Sequence, residues 1–88
     1  MVKGVTESGF SFEIDETKLN NYDFLELMVD ADEGSVPAMI KAIRLILPQD
    51  EINRIKDFVR NEDGIATIPD VYKVVAEIIS YKGDSKNS

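Results

Sequence analysis

The stretch DADEGS, residues 30–35, gathers the side chains of this sequence that are best placed to do chemistry. Asp30 and Asp32, two residues apart and followed by Glu33, are the kind of oxygen ligands with which a calcium loop begins. The same carboxylates could in principle move protons as a general acid and base. Ser35, at the start of a helical stretch, offers a hydroxyl for covalent attachment of a cofactor arm.

Each of these chemistries makes demands on spacing. An EF-hand loop needs oxygen ligands at its first, third and fifth positions, glycine at the sixth and a bidentate acid at the twelfth. With Asp30 first, Gly34 falls fifth and Lys41, a cation, falls twelfth. Placing Gly64 sixth instead puts Val59 first and Ala66 eighth, which fails as well. A serine opening the second helix of a small acidic protein is similar to the attachment site of acyl carrier proteins. Their signature is Asp-Ser-Leu, whereas this chain reads Gly34-Ser35-Val36-Pro37. The plainer role for Ser35 is an N-cap that satisfies an orphan backbone N–H, worth about 1 kcal/mol. Asp30, Asp32 and Glu33 sit where one helix ends and the next begins, so the two macrodipoles act on them in opposite senses. They read as a solvated acidic turn, or as an acidic docking patch for a basic partner.

Composition narrows the chemistry further. The 88 residues include no cysteine and no histidine, which excludes disulfide staples, thiolate nucleophiles, zinc sites of the usual kind and the commonest general base. Neither a metal nor a cofactor is expected, and catalysis is not. A net charge of −7 disfavours a nucleic-acid partner, whose phosphates call for lysine and arginine. The charge is lopsided: residues 1–33 hold nine acids against Lys3 and Lys18, while residues 34–88 are balanced. No apolar run reaches the roughly 18 residues of a membrane span, and MVKGVTESG lacks the apolar segment of a secretory signal. The expected location is therefore the cytoplasm. One domain of this size buries only about 60% of its unfolded surface, so self-association would help it.

The elements that must position these residues follow from periodicity. FSFEI alternates Phe10, Phe12 and Ile14 against Ser11 and Glu13, as a half-buried strand does. Its partner is VKGVT, joined through a turn of two or three residues in which Gly9 supplies a positive φ. Leu19, Tyr22, Leu25, Met28 and Val29 form the stripe of a first helix, which Gly34 terminates. Ser35 caps a second, with Met39, Ile40, Ile43, Ile46 and Leu47 on its inner face. Pro48, at the first helical position, opens a third whose inner face is Ile52, Ile55, Phe58 and Val59. After NEDG and the link IATI, Pro69 opens a fourth with Val71, Val74, Val75, Ile78 and Ile79. The expected fold is α+β and mainly α: one globular domain over residues 1–82, an N-terminal hairpin at about 2–14, and a small bundle of four helices at about 19–33, 36–47, 48–61 and 69–82. Residues 83–88 hold no apolar side chain and read as a mobile tail.

Helices one and four carry more apolar side chains than one stripe needs: Phe24 and Leu27 on the first, Tyr72 and Tyr81 on the fourth. They either pack beneath the hairpin or form a contact surface for another chain.

The segments SGFSFEID, DFLELMVDADEGSVPAMIKAIRLILP and RNEDGIATIPDVYKVVAEI together resemble the short tail assembly chaperones of siphophages and prophages of Gram-positive bacteria, over about Thr6 to Ile79. Pro48 departs from the pattern, since relatives often have glycine there. The resemblance implies a non-enzymatic protein that binds the tape measure protein, keeps it soluble while the tail tube protein polymerises around it, and is absent from the mature virion. It implies, too, that the gene can yield a longer frameshifted product; Ser85-Lys86-Asn87 is codable as TCA-AAA-AAC, which holds a slippery heptamer. A different class of function compatible with the acidic first third is a small phage regulatory or inhibitory protein that binds a host protein.

Overall fold

The computed structural model of this chain describes residues 1–81; the tail expected at 83–88, with Ser85-Lys86-Asn87, lies outside them. The architecture is α+β and mainly α. A two-stranded antiparallel hairpin, β1 (Val2–Val5) and β2 (Ser11–Ile14), precedes four helices: α1 (Tyr22–Asp32), α2 (Val36–Ile46), α3 (Gln49–Val59) and α4 (Ile68–Ile79). A 3-10 helix, Glu16–Asn20, takes the place of the expected first turn of helix one. The reason is local: Asn21 is extended and its side chain accepts from the Asp23 N–H at 2.8 Å, so the α-helix starts after it.

The hairpin turn has three residues, Glu7-Ser8-Gly9, and Gly9 takes a φ of 98°. Thr6 and Phe10 close it: the Thr6 N–H donates to the Phe10 carbonyl at 2.9 Å, and Thr6 Oγ1 accepts from the Phe10 N–H at 3.0 Å. That pairing gives the buried Thr6 hydroxyl a partner and fixes the register, with Val2 opposite Ile14 and Gly4 opposite Phe12. The strand alternation holds, since Phe12 and Ile14 are buried while Ser11 and Glu13 are exposed. Gly4 is where the edge strand meets the end of α4. The Tyr81 ring occupies the space that a Cβ at Gly4 would need, and it stands edge-on to Phe12 at 5.1 Å between centroids.

Capping sets the remaining boundaries. Pro48 is the N-cap of α3 rather than its first helical residue, and contributes no side-chain cap. The helix stops at Val59, two residues short of the expected end, because the Asn61 side chain accepts from the N–H groups of Asp63 and Ile65 and folds NEDG into a turn. Thr67 caps α4 by accepting from the Asp70 N–H, which starts the helix one residue before Pro69. It ends at Ile79, where the Ser80 hydroxyl donates back to the Ala76 carbonyl at 2.8 Å.

The core joins Phe10, Phe12 and Ile14 of the hairpin to Phe24 of α1, Ile46 of α2, Ile55 of α3 and Val74, Val75 and Ile78 of α4. The stripes expected for α3 and α4 match this core, apart from Phe58, which stays largely exposed while its ring contacts Phe10. Two stripes need correction. On α1 the buried side is Phe24 with Leu27 and Met28 packed beside it, whereas Tyr22, Leu25 and Val29, expected inside, face outward. Positions 24, 27, 28 and 31 and positions 22, 25 and 29 are both spaced as a helical stripe, so apolar periodicity alone leaves two phases open. On α2 the innermost positions are Ala38, Ala42 and Ile46, and Ile40 faces outward. Small side chains let α2 approach its neighbours closely, and the larger isoleucine is left on the far side.

Candidate functional site

The acidic turn is a well-satisfied connection between helices. The Gly34 N–H donates to the Ala31 carbonyl and the Ser35 N–H to the Asp30 carbonyl, both at 3.0 Å, with Gly34 at a φ of 105°. These two bonds are the Schellman ending of α1. Ser35 then starts α2, its Oγ accepting from the Ala38 N–H at 3.2 Å. Asp30, Asp32 and Glu33 are all exposed. Asp32 takes a long hydrogen bond, 3.4 Å, from the Tyr72 hydroxyl. Among the described residues no three acidic side chains come together as metal ligands would.

The four side chains read as a surplus go to different places. Phe24 is 5% exposed and belongs to the core rather than to the exposed surface. Leu27 and Tyr81 are half-buried and pack against that core. Tyr72 is half-buried and lines a cleft between α2, α3 and α4.

That cleft has a volume of about 300 Å³. Each helix gives it one stripe. Val36, Ile40 and Arg44 come from α2 at four-residue spacing; Gln49, Ile52 and Lys56 come from α3; Ile68, Val71 and Tyr72 come from α4. Met39 and Ile43 complete the lining from α2. The rim is open: Val36, Ile40 and Ile68 are 45%, 43% and 59% exposed. The two charged residues of the lining are the cations Arg44 and Lys56, and no acid lines it, in a chain with 17 acids and 10 bases. Neither cation is in an ion pair among the described residues; the lysine and arginine pairs there are Arg54 with Glu51 and Arg60 with Asp57.

Sequence reasoning put Ile40 in the core and did not single out Val36, Ile68, Arg44 or Lys56 as a group. The periodicity of α2 carried the signal, since 36, 40 and 44 share a face and that face ends in a cation. A second apolar strip, Tyr22, Leu25 and Val29, runs along α1 beside Asp23, Glu26 and Asp30. Acids at 23, 26, 30 and 33 lie on the side of α1 away from Phe24, Leu27, Met28 and Ala31, which is the sequence signal that selects the buried phase.

None of the helices described is long and apolar enough to cross a membrane. No protein-family model matches the chain, and no curated protein and no solved structure matches it.

Proposed function

We propose that this chain is a non-enzymatic phage tail assembly chaperone that binds the tape measure protein and keeps it soluble while the tail tube is built. It would act in the cytoplasm of the bacterial host and leave before the virion is complete. The observation that carries this reading is the apolar surface left uncovered on a very small domain: the cleft of α2, α3 and α4, and the strip along α1. Contiguous exposed hydrocarbon on a small protein marks contact with other chains. The acidity of residues 1–33 supports the same reading, because like charge keeps such a surface from aggregating between engagements. The segment resemblance supplies the identity of the partner.

Co-expression with a siphophage tape measure protein, the long protein that the resemblance names as partner, tests the reading. The soluble fraction of the long protein should rise several-fold when this chain is present. If the long protein stays insoluble, the chaperone reading fails; an interaction with a host protein through Asp30, Asp32 and Glu33 would then be the reading to pursue.

A further inference from the structure

We propose that the cleft between α2, α3 and α4 is the seat of an amphipathic helix whose apolar stripe is flanked by acidic residues. Such a helix would be a stretch of the tape measure protein, and this assignment of the occupant rests on the chaperone reading. The recognition chemistry itself comes from the cleft.

The walls are mostly aliphatic, with Tyr72 among them donating to Asp32 at 3.4 Å, and the lining carries two cations. Ile43, Ile52 and Val71 line the interior, Val36, Ile40 and Ile68 lie exposed along it, and Arg44 and Lys56 are the only charges in the lining. Elsewhere the molecule is acidic overall, with a net charge of −7. The surplus of acids lies in residues 1–33 and residues 34–88 are balanced, so an acidic partner is disfavoured along the N-terminal third, whereas the lining of this cleft offers two cations and no acid. Charge complementarity therefore favours an acidic flank on whatever apolar segment occupies this cleft.

The geometry suits a helix. Val36, Ile40 and Arg44 span about 12 Å of α2, the length of roughly two helical turns. Apolar side chains of a guest helix at positions i, i+3, i+4 and i+7 would enter between the three stripes, as helices do in grooves. Acids on the guest's flank would meet Arg44 and Lys56. A drug-sized molecule buries most of its surface in its site, and the exposure of Val36, Ile40 and Ile68 leaves this cleft too open for that.

The test uses the full chain with two designed helices of about 14 residues, identical in their leucine stripe, one flanked by glutamates and one by lysines. Binding is followed by fluorescence anisotropy and by chemical-shift changes in labelled protein. The glutamate helix should bind, with shifts on α2, α3 and α4. The exposed substitution Ile40→Asp should remove that binding, and Leu25→Glu on α1 should leave it unchanged. Reversing both cations, R44E with K56E, should lower affinity for the glutamate helix by at least about tenfold and transfer preference to the lysine helix. Equal binding of the two helices, or shifts centred on α1, would overturn the proposal. So would dilution-sensitive self-association that Ile40→Asp abolishes while neither helix binds, because the occupant would then be a second copy.

The same variants separate this inference from the chaperone reading. If the wild-type chain and Ile40→Asp solubilise the long protein equally, the cleft assignment fails and the chaperone reading stands. If wild type does not solubilise it but the charge-dependent peptide binding holds, the reverse is true.

Discussion

Helices α3 and α4 present hydrocarbon on two sides, and the chain treats the two sides differently. On one side the hairpin covers them. Phe10 and Phe12 are buried there; Arg54 lies over the Phe10 ring at 4.8 Å and donates to the Ser11 carbonyl at 3.1 Å. Phe58 meets Phe10, Tyr81 meets Phe12, and Ser8 reaches Glu77. On the other side, with α2, the same helices form the cleft, where aliphatic side chains stay exposed and Arg44 and Lys56 have no ionic partner among the described residues. Paired aromatic rings mark the side the chain closes for itself. Open aliphatic stripes with spare cations mark the side it does not.

That contrast can be broken from its closed side. The largest effect expected is from Gly4→Ala, whose methyl group would occupy the position of the Tyr81 ring. The methyl meets only the far end of the Tyr81 side chain, so the loss is that of the ring pair with Phe12, about 1–1.5 kcal/mol in chemical denaturation, with loss of the near-ultraviolet circular dichroism of the aromatic pair. An unchanged midpoint would mean that Tyr81 is not a working part of the closure.

Next come two arginines that differ in what they touch. Arg54→Ala removes both the contact over Phe10 and the bond to Ser11, and should cost about 1 kcal/mol. Arg44→Ala, on the open side, should fall within about 0.5 kcal/mol of wild type. Equal losses for the two would erase the distinction between the sides.

The smallest effect concerns pH. The Ser8 hydroxyl donates to the Glu77 carboxylate at 2.5 Å and, as the leading cause, holds that carboxyl below the ordinary glutamate range. Because the folded-state pKa is the lower one, the associated stability is present above the ordinary glutamate range and is lost as pH falls through the folded value. Ser8→Ala should bring the Glu77 titration, followed by carboxyl NMR, up toward the ordinary value. The titrations of acids remote from the hairpin should not move.

Much of the fold was legible because its boundaries are written in residues with restricted or special backbone chemistry. Gly9, Gly34, Ser35, Pro37 and Pro69 each mark a turn or a helix end that the structure contains within a residue or so. Where the reading missed, a side chain competed locally with the helix: Asn21 delayed α1, Asn61 ended α3 early, and Thr67 advanced α4. Burial was legible on α4, whose apolar residues form one stripe. On α1 apolar spacing alone did not settle it, because two stripes compete; the acids at 23, 26, 30 and 33, opposite Phe24, Leu27 and Met28, carry the signal that selects the buried one. The cleft was the least legible feature. Its stripes come from three helices, and no single segment announces that Arg44, Lys56 and Ile68 will line one hollow.

Leu47 and Pro48 alone separate α2 from α3, and Glu33, Gly34 and Ser35 alone separate α1 from α2. Connections this short leave the helices no slack, so two of the three walls of the cleft are held at a set spacing before any guest arrives. A visiting segment would find its berth already built, and nearly all the disorder surrendered on docking would be its own.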